Sequence, residues 1–195
     1  LLEGELLSER LLRRTRLDAA EARDIARRIA RALQAVHARG IVHRDLKPDN
    51  LMLVPDPERP GETRVKILDF GIAKLRQSLP PGGRPTEAGT TIGTAEYMAP
   101  EQCMGVADLD GRADVYALGV LLYEMLSGRP PFRAAMLFDV LTMHVRARVP
   151  PLAAEAPEAP AELAALVHRM LEKDPAARPA IGEVVATLEA LPLGP

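Results

Sequence analysis

A mainly helical domain with a few short strands near its front, α+β overall, is predicted by three observations. Apolar stripes at steps of three and four residues recur toward both ends of the chain. The segment from Val115 to Leu126 is apolar on nearly all sides, the pattern of a buried central helix. Short β-branched or apolar runs occur only between residues 41 and 68, separated by turn-forming residues. The 195 residues, 47% hydrophobic and 27% charged, suit one domain with an ample core and argue against intrinsic disorder. A net charge of -2 gives no support to nucleic-acid or membrane binding by bulk charge. With 3% aromatics and no Trp, stacking platforms for single-stranded nucleic acid are not expected. One cysteine, Cys103, excludes an intramolecular disulfide framework and is read as a small buried hydrophobe.

In chain order, Leu6, Leu7, Leu11 and Leu12 predict a short amphipathic helix. A longer one opens at Asp18, with Glu21 as its capping-box partner, and carries the stripe Ala22, Ile25, Ile29, Leu33 and Val36. His37 and Arg39 read as charges favouring its last turn, and Gly40 as its stop. Strands are expected at Ile41-Val42, Leu51 to Val54 and Arg64 to Leu68, the last two joined by a Pro/Gly-rich surface link. Residues 76–98 carry neither period and read as a long functional loop. Gly128, Pro130 and Pro131 end the central helix. Two further stripes follow: Leu163, Leu166, Val167, Met170 and Leu171, then Ile181, Val184, Val185, Leu188 and Leu191. His144 and His168 fall in helical stretches with no chemistry assigned. No run reaches the ~18 apolar residues of a membrane span, and no signal peptide opens the chain.

The chemistry-bearing residues form an ordered set. His43-Arg44-Asp45-Leu46-Lys47-Pro48-Asp49-Asn50 lies in a polar loop, Asp69-Phe70-Gly71 follows the third predicted strand, and Ala99-Pro100-Glu101 follows the long loop. Together they resemble the catalytic loop, metal-binding motif and activation-segment end of eukaryotic-like protein kinases. The resemblance implies a serine/threonine protein kinase that transfers the γ-phosphate of ATP to protein hydroxyls with Mg²⁺ or Mn²⁺. In that reading Asp45 orients the hydroxyl and accepts its proton, and Lys47 meets the charge developing on the phosphate. Asn50 and Asp69 offer oxygen ligands to the metal. Lys47, Asn50, Asp69, Met52 as adenine floor and Leu2 as hinge backbone would contact the nucleotide. Arg44 would pair with an activating phosphate on Thr90, with Thr86 and Thr91 as neighbouring candidates. Thr94 would lie beside substrate, His43 and Phe70 would be packed spine residues, Asp114 would anchor the catalytic loop, and Glu101 would pair with Arg178.

The resemblance covers the chain end to end but only the large C-terminal lobe of the kinase fold. This implies a kinase-domain C-lobe over 1–192, with the catalytic loop at 43–50 and the activation segment at 69–101. Of 21 arginines and four lysines, no lysine precedes Lys47, and no G-x-G-x-x-G can be written before the catalytic loop. The nucleotide-anchoring lysine and the N-lobe are therefore expected in upstream sequence of the same product, and the piece alone is expected to be inactive and poorly soluble. The Gly128-Arg129-Pro130-Pro131-Phe132 step is most similar to bacterial kinases of the membrane-receptor type. That similarity implies a cytoplasmic domain, with any inner-membrane tether outside this chain. Protein substrates bearing Ser or Thr are the implied partners, with no nucleic acid. Two alternatives stand beside it: a catalytically inactive lobe that binds or regulates other proteins, and an aminoglycoside-type phosphotransferase. The Ala-Pro-Glu segment argues against the latter.

Overall fold

The structure is a computed structural model that describes residues 4–58, 63–68 and 92–191. The chain opens with a two-residue strand, β1 (Glu5–Leu6), and a short helix, α1 (Leu7–Arg14). The long helix α2 (Ala19–His37) follows. Its N-terminus is capped by Asp18, whose carboxylate accepts from the Glu21 amide at 2.9 Å. The reciprocal half of the expected capping box is not made, because the Glu21 carboxylate instead takes Arg10 at 2.6 Å and Arg14 at 2.7 Å. Gly40 then turns the chain with φ of 72°, a conformation open to glycine at little cost.

A single 3-10 turn, Pro48–Asn50, leads into β2 (Leu51–Pro55), which forms a hairpin with β3 (Thr63–Ile67). The sheet is antiparallel in the order β1-β2-β3, with Leu6 opposite Met52 and Met52 opposite Lys66. Two expectations are corrected here. Leu6 belongs to the sheet rather than the first helix, and Ile41-Val42 is not a strand. The Ile41 amide turns back to the Val36 carbonyl, and the His43 and Arg44 amides bond a side chain rather than a neighbouring strand. Leu12, expected on an apolar stripe, is 89% exposed.

The second half is helical: α3 (Ile92–Ala95), α4 (Pro100–Cys103), α5 (Arg112–Ser127), α6 (Leu137–Arg146), α7 (Leu152–Glu155), α8 (Ala161–Met170) and α9 (Ile181–Ala190). The turn at α3 lies inside the stretch read from sequence as loop. α5 is the axis of the core. Tyr116, Leu118, Val120, Leu121, Leu122 and Met125 along it are all buried, and each buried leucine contributes about 2–3 kcal/mol of apolar transfer. Helix α2 packs on α5 and α9, and α8 also packs on α5. The approach of α8 needs Gly119, where an added Cβ would stand 2.9 Å from Met170 Cβ. Gly128, at φ 86°, closes α5 with its amide on the Glu124 carbonyl.

Candidate active site

The loop from His43 to Asn50 is held from beneath by one buried carboxylate. Asp114, 1% exposed in the first turn of α5, accepts from the His43 amide at 2.8 Å and the Arg44 amide at 2.9 Å. A buried carboxylate is tolerated when donors meet it, and these backbone amides do so. Arg44 has φ of 67°, uncommon for a side-chain-bearing residue. The surroundings fix that conformation from both sides: Asp114 holds its amide, and the Gln102 amide group donates to its carbonyl at 2.9 Å. Its guanidinium Nε is buried with no hydrogen-bond partner among the described residues.

A third donor to Asp114 was not anticipated. His37 Nε2 lies 2.8 Å from Asp114 Oδ2, and because a carboxylate only accepts, that nitrogen carries the proton. His37 was read as a charge ending its helix. Its ring is instead a strut from the end of α2 to the anchor of the loop. Gly111 makes room for it, since a Cβ there would fall 2.5 Å from His37 Nδ1. No local pattern signals this, because the partner is 77 residues away. Replacing His37 by Ala is expected to raise amide hydrogen exchange at His43 and Arg44 by about tenfold, the effect of losing one charge-assisted bond of ~1.5 kcal/mol. Unchanged exchange at both amides would show that the strut is idle.

Above the anchor, three polar side chains converge. Lys47 Nζ donates to Thr94 Oγ1 at 2.9 Å and sits 3.7 Å from Asp45 Oδ2. Asn50 Nδ2 donates to the Asp45 carbonyl at 2.7 Å and lies 3.4 Å from its Oδ2. These bonds use the amide nitrogen of Asn50 and leave its Oδ1, a hard oxygen, to offer elsewhere. His43 is fully buried; Nε2 lies 3.2 Å from the Leu68 carbonyl, and Nδ1 accepts from the Asp45 amide at 3.3 Å. The Leu68 amide in turn bonds the Asn50 carbonyl at 2.8 Å, so the end of β3 is tied to the loop. Met52, half-buried on β2, lies next to the loop in the sheet. Leu2, Asp69, Phe70, Thr86, Thr90 and Thr91 lie outside the described residues.

Beside the loop is a cavity of about 390 Å³, walled by Asp49, Glu96, Tyr97 and Glu124 with apolar surface from Leu11 and Leu12. Tyr97 donates its hydroxyl to Glu124 Oε2 at 2.6 Å. Burial pushes the Glu124 carboxyl up to about 7, against the Tyr97 bond that favours the anion and with a further push from Glu96. A folded-state value above the unfolded one means the folded chain holds a proton more tightly. The stabilising contribution is therefore complete below about pH 4.5 and fades as pH rises through about 7. Glu124→Gln keeps an acceptor for Tyr97 and removes the titration. Relative to wild type, it is expected to gain on the order of 1–3 kcal/mol between pH 5 and pH 8 in urea unfolding. A difference independent of pH would contradict the assignment.

A second buried pair braces the far side. Arg178 donates from Nη1 to Glu101 Oε1 at 2.7 Å and from Nη2 to Oε2 at 2.8 Å. Nearby, His144 is not inert: fully buried, its Nδ1 lies 2.9 Å from the Tyr116 hydroxyl, and burial holds it neutral with its pKa at about 3. His168 Nε2 accepts from the Leu152 amide at 3.1 Å. Cys103, expected to be buried, is partly exposed, and desolvation raises its thiol to about 12. Among the described residues no helix is long and apolar enough to cross a membrane.

Comparison with known proteins agrees with this arrangement. The protein kinase domain family matches residues 1–188. The serine/threonine-protein kinase Pkn1 of Myxococcus xanthus is 48% identical over 162 residues, 83% of this chain and 22% of the relative. Pkn3 of the same organism is 40% identical over 192 residues, covering 96% of this chain and 34% of the relative. PknA of Mycobacterium tuberculosis is 40% identical over 178 residues, 91% and 38% respectively. The chain thus spans well under half the length of these relatives. With the family matched over nearly its whole length, the chain belongs to the protein kinase domain family.

Proposed function

We propose that this chain is the large lobe of an ATP-dependent serine/threonine protein kinase, with the smaller lobe supplied by sequence outside it. The observation that carries the reading is the convergence of Asp45, Lys47, Asn50 and Thr94 on one loop held by Asp114. Asp45 orients the acceptor hydroxyl and takes its proton. Lys47, already bonded to Thr94, meets the charge that develops on the transferred phosphate. Asn50, through its Oδ1, and Asp69 are the residues that would hold Mg²⁺ or Mn²⁺; the ion would supply charge neutralisation on the phosphates. In this reading Met52 would floor the adenine pocket, and the Leu2 backbone would bond the base. In this reading His43 is a packed spine residue, and the same role is expected of Phe70.

Regulation follows from Arg44. Its buried Nε, without a partner among the described residues, suits a phosphate on Thr90, or on Thr86 or Thr91, which would bring about 1.5–2 negative charges to it. The substrates are proteins presenting Ser or Thr. The acid-walled cavity beside the loop makes a basic protein the acceptor to test first. Full-length product given radiolabelled ATP, Mg²⁺ and a basic protein is expected to label it, and a chelator to stop the labelling. No labelling with the upstream sequence present, together with no measurable ATP binding, would leave the non-catalytic binding lobe as the function.

A further inference from the structure

Asp45 stands between two ties to one stretch of chain. On its C-terminal side, Lys47 Nζ donates to Thr94 Oγ1 at 2.9 Å. On its N-terminal side, Gln102 Nε2 donates to the Arg44 carbonyl at 2.9 Å. Thr94 belongs to α3 and Gln102 to α4, so both ties come from the segment 92–103. Lys47 has its own part in the chemistry. Gln102 lies just past the Ala99-Pro100-Glu101 motif and has been given none.

The side-chain amide of Gln102 is used at both ends. Oε1 accepts from the Ala99 amide at 2.9 Å, in the first turn of α4, while Nε2 reaches the loop. Ala99 presents an N–H and Arg44 a C=O, so only one orientation of the amide satisfies both. A glutamate at this position keeps the first bond and loses the second, and an apolar side chain makes neither.

The carbonyl that Gln102 holds follows a strained residue. Arg44 has φ of 67°, left-handed backbone that a side-chain-bearing residue keeps only when its surroundings fix it. Its C=O shares a planar peptide with the Asp45 amide, so fixing the oxygen fixes the entry to Asp45. The bond of that amide to His43 Nδ1 is long, at 3.3 Å. Asp114 takes the His43 and Arg44 amides, which belong to the two preceding peptides. The 44–45 peptide is the next one, and Gln102 takes its oxygen.

We infer, on the kinase reading above, that Gln102 is a positioning residue for phosphate transfer, orienting the 44–45 peptide so that the Asp45 carboxylate stands beside Lys47. The base then depends on the seating of α4. A displaced α4 releases the Arg44 carbonyl, and the strained backbone relaxes with Asp45 attached. The segment that carries Thr94 thereby acts on the base by a route separate from the Arg44 guanidinium.

Gln102→Glu in the full-length product tests this, because it keeps the acceptor for the Ala99 amide and removes the donor to Arg44. With radiolabelled ATP, Mg²⁺ and a basic protein, kcat is expected to fall about tenfold, the worth of one hydrogen bond replaced by a repulsion. KM for ATP and melting temperature should stay close to wild type. Arg44→Gly supplies a readout that a merely structural role would not move, since glycine adopts a φ of 67° at little cost. That change lowers the rate by itself through loss of the guanidinium, so the comparison is made within its background. There, Gln102→Glu should cost less than about threefold. Unchanged kcat in Gln102→Glu, or an equal loss in both backgrounds, would overturn the inference and leave the kinase reading standing. No transfer by the wild-type product would instead remove the kinase reading, and the positioning role with it.

Discussion

Asp45→Asn in the full-length product is expected to lower phosphate transfer to a protein hydroxyl by about 10²–10⁴-fold, the contribution of a positioned general base. The substitution is nearly isosteric and leaves the local frame in place. Asn50 still bonds the carbonyl of residue 45 at 2.7 Å, and its amide still reaches His43 Nδ1. The loop's main support is the Asp114 carboxylate, which the change does not touch. Two things are lost: the group that accepts the proton, and the negative charge 3.7 Å from Lys47 Nζ. The loss should fall on kcat in single-turnover labelling, with ATP affinity and melting temperature close to wild type. Equal incorporation by the two proteins would mean that Asp45 is not the base and that the loop's resemblance to a catalytic one is formal.

What could be read from the sequence, and what could not, divides by the distance over which the physics acts. The buried face of α2 was legible because Ala22, Ile25, Ile29 and Leu33 repeat within one helix, and periodicity is a local signal. The central position of α5 was legible from its lack of any polar face. β1 was not legible. Two residues hold no period, and they become a strand only because Met52 and Leu53 lie opposite them. Ile41-Val42 misled for the opposite reason. Their composition favours a strand, but the amides that follow them are captured by Asp114, so no ladder can form. At the site, Asp45, Lys47, Asn50, Thr94 and Asp114 were singled out through an ordered motif, and the structure places them in one neighbourhood. His37 was missed because its role exists only across α2 and α5, where no spacing rule reaches.

Breaking the Glu101–Arg178 pair from one side is expected to be the most destabilising single change in the described structure. Arg178 is 3% exposed and uses all five of its N–H donors. Two go to Glu101, and the other three go to the carbonyls of Glu172, Arg112 and Lys173. Its guanidinium carbon also lies 4.8 Å from the centre of the Tyr116 ring. One side chain thus joins α4, the start of α5 and the segment before α9. Arg178→Met fills much of the volume but leaves the Glu101 carboxylate, 8% exposed, and three carbonyls without their donors. Removing one partner of a buried pair costs about 3–5 kcal/mol. For a domain of this size that lowers the melting temperature by roughly 6–20 °C. Adding Glu101→Gln to Arg178→Met removes the stranded charge and should recover part of the loss, a coupling of about 1–3 kcal/mol in a double-mutant cycle. Additive losses would mean that the pair is not coupled and that Arg178 acts through its carbonyl contacts alone. Because α4 also supplies Gln102, whose amide holds the Arg44 carbonyl, the same substitution should loosen the His43–Asn50 loop before the whole fold melts. Faster hydrogen exchange at His43 and Arg44, at temperatures where α5 remains protected, is the expected sign of that order.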